Sequence, residues 1–269
     1  MRDRVSTIWA AELPDDAMEQ VREILRTAAG SGKVLQVFFR ADDIARVDES
    51  FSRLMHAFRA HAVPLCLAVV PDWLDKDCRQ ALRKFCPDAP LWCWHQHGRS
   101  HRNHELQGKK GEFGDARSRE DIRTDLAGGR EVLVQAFGDL FYPVFTPPWN
   151  RCGAATLELV RELDFKAVSR AKGAKPSAAG ILPDLAVNVD LHTRRESDFA
   201  AGWRNLLAEF AAAADSGQMG IMLHHQQMNE AAFAFLDLLL PELLSCRNVS
   251  CCTFRDLLAP DLSRINRRD

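Results

Sequence analysis

The acids and imidazoles of this chain collect in short clusters that follow apolar runs. Arg40-Ala-Asp42-Asp43 places adjacent carboxylates behind one such run, His95-Gln-His97-Gly-Arg-Ser-His101 follows a second, and Asp190-Leu-His192 and His224-His225 follow two more. Six of the nine histidines lie in these segments. Imidazoles four apart, as in His97 and His101, face the same way on a helical turn and can hold one cation, with a carboxylate as third ligand. Three protein ligands leave a coordination position for water or substrate, as in a catalytic rather than a structural centre. A second carboxylate beside that position can take a proton from water, and a histidine across it can return one to a departing amine. Asp42, Asp43 and His224 supply those types. His225 is the alternative acid, because adjacent strand residues face opposite ways. His95 is expected as a hydrogen-bonded neighbour, His104 and His192 as rim residues, and His56 and His61 as surface or packing residues.

Elements must bring these clusters together. Short β-rich runs alternate with amphipathic stretches along nearly the whole chain. The strands expected are Val34–Phe39, Leu65–Val70, Leu91–Trp94, Pro143–Thr146, Lys166–Ser169, Leu185–Asp190, Met219–Leu223 and Val249–Thr253; helices are expected over about 48–60, 75–85, 118–137, 153–163, 198–214 and 230–245. Ser118 and Asp121 have capping-box spacing, and Gly217 stands where a helix C-terminus favours glycine. The alternation implies an α/β fold with one domain over 1–269, a distorted (β/α) barrel of about seven or eight parallel strands with its core at about 34–255. A doubly wound open sheet is the competing architecture. In either, strand carboxyl ends share one rim, which gathers the clusters, and the glycine-rich charged stretch from about 102 to 117 reads as a loop on that rim.

Composition narrows the partners. Lys and Arg number 35 against 37 Asp and Glu, a net charge of −2, which lacks the basic excess of nucleic-acid binding. Aliphatic runs reach about half the roughly 20 residues of a membrane span. The first residues carry no apolar core of a secretory signal, and the eight cysteines show no CxxC pattern, so a reducing cytoplasm is expected. Ala29-Gly30-Ser31-Gly32-Lys33-Val34 is not a phosphate loop: Thr27 occupies the first glycine position and Val34 the hydroxyl position. Trp94 and Trp149, beside the polar clusters, read equally as core aromatics or as exposed stacking faces.

With these residues in hand, the chain resembles the polysaccharide deacetylase family, the NodB-homology or carbohydrate esterase 4 group, over about 34–255. The family's Thr-Phe-Asp-Asp-Gly motif is matched by Phe39-Arg-Ala-Asp42-Asp43-Ile44, its His-Ser/Thr-x-x-His motif by His97-Gly-Arg-Ser-His101, its Arg-x-Pro-Tyr/Trp motif by Thr146-Pro147-Pro148-Trp149, and its Leu-His motif by Leu223-His224. The resemblance implies Asp42 as general base, His224 as general acid paired with Asp190, and Asp43, His97 and His101 as metal ligands. It implies substrate contacts from Thr146, Pro148, Trp149 and Trp94, with a backbone N–H near Trp149 toward the oxyanion. The ion is expected to be divalent, zinc first and cobalt, nickel or iron(II) as alternatives. Thr146 replaces the arginine that contacts the base, so Asp42 is expected to lose a charge partner and rise in pKa; Ile44 replaces a glycine, implying a different turn. The implied activity is removal of an acetyl group from an N- or O-acetylated sugar or oligosaccharide. Hydrolysis of a non-sugar amide, or non-catalytic binding of a glycan or partner, are the alternatives.

Overall fold

A computed structural model describes residues 5–30, 32, 34–85 and 90–259. Cys86, Ser31 and Lys33 lie outside the described residues. Eight strands run β1 Leu35–Ile44, β2 Leu65–Val69, β3 Trp92–His97, β4 Phe141–Thr146, β5 Ala167–Val168, β6 Val189–Asp190, β7 Gln218–Leu223 and β8 Val249–Cys251. Around them lie α1 Ala17–Gly30, α2 Glu49–Ala60, α3 Lys76–Arg83, α4 Arg119–Phe137, α5 Ala154–Glu162, α6 Phe199–Ser216, α7 Glu230–Ser245 and α8 Phe254–Leu257.

Every strand pairing is parallel, in the order β5-β4-β3-β2-β1-β7-β6, with β8 added beside the start of β1. This nearly sequential order is that of a curling barrel, not of a sheet that reverses at a switch point. The barrel is distorted where it closes. Leu185–Asp190 was expected as a strand, but only Val189–Asp190 is regular, and the segment before β6 meets β5 and the residues after it through single bridges at Val168–Asp184 and Ala171–Val187.

Side-chain parity divides the barrel into two apolar regions. Phe38, Cys66, Cys93, Val144 and Met222 point inward and pack with Phe254, whereas Val37, Phe39, Trp94, Phe145 and Ile221 point outward beneath the helices. Helix α6 shows why the sequence takes this form. Trp203, Leu206, Phe210 and Ala213 recur on one buried stripe, Asp198 caps the start by accepting from Ala201 N–H, and Gly217 ends it at φ 78°. Each large side chain buried there contributes about 1.5–3 kcal/mol. Helix α1 was not foreseen, although Ala17, Val21, Leu25 and Ala28 lie at helical spacing and are buried, with Arg22 bonded to Glu242 of α7.

Candidate metal centre

Strand β1 carries the first part of the site. Residues two apart on a strand share a face, so Phe38, Arg40 and Asp42 all enter the barrel. Arg40 and Asp42 form a buried bidentate pair, with Nε to Oδ1 and Nη2 to Oδ2 both at 2.8 Å. The guanidinium also donates to Ser169 O and Oγ and to Asn150 Oδ1. Asp42 therefore keeps a cationic partner from its own strand, which corrects the expectation drawn from Thr146. Burial pushes its carboxyl up, but Arg40, with His97 and His224, outweighs this and holds it below the usual carboxylate range. The turn expected at Ile44 falls one residue earlier: the β1–β2 register shifts between Ala41 and Ile44, and Asp43 takes φ 62°.

That left-handed turn aims Asp43 at two imidazoles. Its Oδ1 lies 3.2 Å from His97 Nε2 and 3.3 Å from His101 Nε2. The three ligand atoms all fall within 4.8 Å of one another. Asp43 Oδ1 is buried and satisfied by no well-angled hydrogen bond, so three lone-pair atoms face a common point. His97 Nδ1 donates to Thr146 O at 3.0 Å, which fixes its tautomer and leaves Nε2 as the electron-pair donor. Two imidazoles and one carboxylate suit a borderline divalent cation with coordination positions left open. Burial opposes a proton on His97, yet Asp43 and Asp42 raise its pKa above the ordinary value; burial and the neighbouring His97 push His101 below it.

The two histidines do not converge on a helical turn, as their spacing suggested. His97 ends β3, and His101 lies in a following loop at φ 55°. What folds this loop is Glu112, a fully buried carboxylate absent from the sequence-derived candidates. Its oxygens accept from the N–H groups of Arg99, Ser100 and His101 and from Ser100 Oγ. Gly98, at φ 59°, makes the approach feasible: a Cβ there would fall 2.2 Å from Glu112 Oε2 and 2.5 Å from Pro148 Cγ. The 102–117 stretch is thus a loop, as expected, but one whose buried Glu112 shapes the ligand-bearing turn.

Strand β7 delivers the histidine pair. His224 faces the same cavity as Asp42 and Asp43, whereas His225 turns outward, edge-on to Phe51 at 5.6 Å. Burial pushes His225 down to about 4. His224 N–H donates to Nδ1 of the buried His192, which also lines the cavity. Asp190 does not pair with His224: its carboxylate accepts from His192 N, Thr193 N and Thr193 Oγ1, capping its own turn.

The other expected contacts separate. Trp149 lines the cavity, its ring 4.5 Å from that of His101. Trp94 is an outward core residue stacked on Phe137 at 4.5 Å, so it is no sugar platform. Thr146 is fully buried and serves the histidines, its carbonyl holding His97 and its hydroxyl 3.0 Å from His95 Nε2. Pro148 is buried against Gly98. His95 is a hydrogen-bonded interior residue, driven by burial to about 3. Asp43, His101, Trp149 and Asn150 all adopt positive φ without being glycine, a concentration of backbone strain typical of sites fixed by their surroundings. The cavity they share with Asp42 and His224 measures about 880 Å³.

No family model and no curated protein matches the chain. Solved structures do. A protein from Mycobacterium smegmatis classed as a polysaccharide deacetylase superimposes with a TM-score of 0.64 at 17% identity, over 88% of this chain and 92% of that one. A family 4 acetyl xylan esterase from Clostridium thermocellum, in complex with a cobalt ion, gives 0.55 at 16%, over 82% and 89%. A mutant of a family 4 pseudoenzyme with restored enzymatic activity gives 0.54 at 15%, over 84% and 68%.

Proposed function

We propose that this chain, which has the fold of the polysaccharide deacetylases and family 4 carbohydrate esterases, is a metal-dependent hydrolase that removes an acetyl group from an N- or O-acetylated sugar. The observation that carries the reading is one cavity lined by Asp43, His97 and His101, which present a metal-binding face, and by Asp42 and His224, which present a base and an acid. A divalent ion, zinc being the first choice, supplies Lewis acidity toward the acyl carbonyl oxygen and the attacking water. Asp42, kept ionised by Arg40, accepts a proton from that water as its oxygen bonds the acyl carbon. His224 donates a proton to the amine nitrogen, or ester oxygen, as its bond to the acyl carbon breaks, leaving acetate and the free sugar. The Trp149 ring forms a wall for the sugar.

The seven described cysteines are free thiols, which supports a reducing compartment. Among the described residues no helix is long and apolar enough to cross a membrane. The test is acetate release from a panel of N-acetylated sugars, with and without chelator. Chelator-sensitive release is expected; release untouched by complete removal of metal, or none from any sugar or simple amide, overturns the reading.

A further inference from the structure

The cavity has a second chemical bias, which rests on the hydrolase reading above. Residues 5–7 and 192–197 form part of its wall, joined where Thr7 Oγ1 donates to Glu196 O at 2.8 Å. The carboxylate of Glu196 is already engaged by Arg194 and Asn205, and Arg194 also donates to Glu209 and Asp190 O. Arg194 Nε nevertheless remains buried without a partner, as does Ser6 Oγ, whose residue is only 3% exposed. Arg195 beside them has no carboxylate partner among the described residues. Arg151, elsewhere on the lining, donates to Lys110 O at 3.0 Å and likewise pairs with no described carboxylate. The remaining cavity acids, Asp42 and Asp43, are committed to Arg40 and the imidazole pair.

What is left over is donors and positive charge. Buried donors without acceptors are costly, and guanidinium groups recognise phosphate and carboxylate through paired N–H bonds. A neutral glycan offers only hydroxyl and carbonyl acceptors and leaves both arginines without counter-charge. We propose that Arg151 and Arg195, on the lining that also carries these buried donors, bind an anionic group of the substrate, so that the acetylated sugar carries a phosphate or a carboxylate.

The test compares kcat/KM for a phosphorylated N-acetylglucosamine, an N-acetylated aminouronate and the uncharged N-acetylglucosamine disaccharide, using metal-loaded protein and the Arg151→Gln/Arg195→Gln double variant. One of the charged sugars is expected to be preferred by about tenfold or more, chiefly through KM, with the margin falling about tenfold in the double variant. Which of the two is preferred identifies the anionic group. Equal kcat/KM for charged and neutral sugars overturns the proposal. So does a preference that survives both substitutions, since the anion is then held elsewhere. If no sugar releases acetate, the deacetylase reading is lost and calorimetry still decides the anion site. Tighter binding of either charged sugar that weakens in the double variant supports it; binding no tighter than the neutral sugar's, or unchanged in the variant, overturns it.

Discussion

The residue on which the chemistry turns is Asp42, and its state is set by Arg40. Removing one member of a buried pair leaves an uncompensated charge, so Arg40→Met should destabilise the protein by about 3–5 kcal/mol in urea unfolding, with a large loss of turnover. A change below about 1 kcal/mol would mean that the pair is not a buried support. Asp42→Asn should keep bound metal while turnover falls about 10²–10⁴-fold, the range expected on losing a general base; a variant at wild-type rate removes Asp42 from that role. The candidate acids and imidazoles were legible from their types and spacing, but the partner of Asp42 was sought at Thr146. Strand parity places Arg40 two residues from Asp42 on the same face, a signal hidden only while β1 was taken to end at Phe39. Asp190 illustrates the reverse: its strand-end position suits a turn cap as well as a partner of His224, and its own turn consumes the carboxylate.

At the scale of elements, the metal-binding face depends on the turn after β3 more than on the strand. Glu112 gathers the Arg99, Ser100 and His101 backbone and never touches the ligand atoms. Glu112→Ala should therefore weaken metal binding by about 10–100-fold, the usual effect of losing an outer support, in a titration with a fluorescent metal competitor. Unchanged affinity would show that the turn holds without it. His97→Ala should abolish stoichiometric binding, because it removes a ligand and not a support. The spacing of His97 and His101 was readable, but their convergence without a helix was not. It depends on a carboxylate 11 residues beyond His101, within a stretch whose composition indicates only a loop. Trp94 was misplaced for a related reason: once β3 extends to His97, its parity turns that indole toward the helices.

For the molecule as a whole, the β/α alternation carried the barrel, the single domain and the shared rim, because hydrophobic period is set by burial on both sides of each strand. Helix α1 and the irregular closure over 183–190 escaped, since packing on α6 and α7 decides the first and tertiary bridges the second. Buried histidines also make stability sensitive to acid. His225 and His95 are neutral when folded, with pKa values pushed by burial to about 4 and about 3, and take protons on unfolding below about 6.5. The unfolded chain then binds more protons, so stability is full above about pH 6.5 and falls as the pH drops toward 4, His225 alone costing up to about 3 kcal/mol there. His225→Gln should flatten the pH dependence of denaturant midpoints; an unchanged slope contradicts a buried neutral imidazole. The same fold occurs in a pseudoenzyme, so the fold alone does not establish turnover and the residues in the cavity must. The most direct measurement is acetate release from an N-acetylated sugar as a divalent metal is titrated into chelator-treated protein, with bound ion measured in the same samples. Activity should rise in proportion to bound metal, saturate near one ion per chain and be absent from His97→Ala. Turnover independent of bound metal, or a fully loaded protein that releases no acetate from any sugar, would contradict the account.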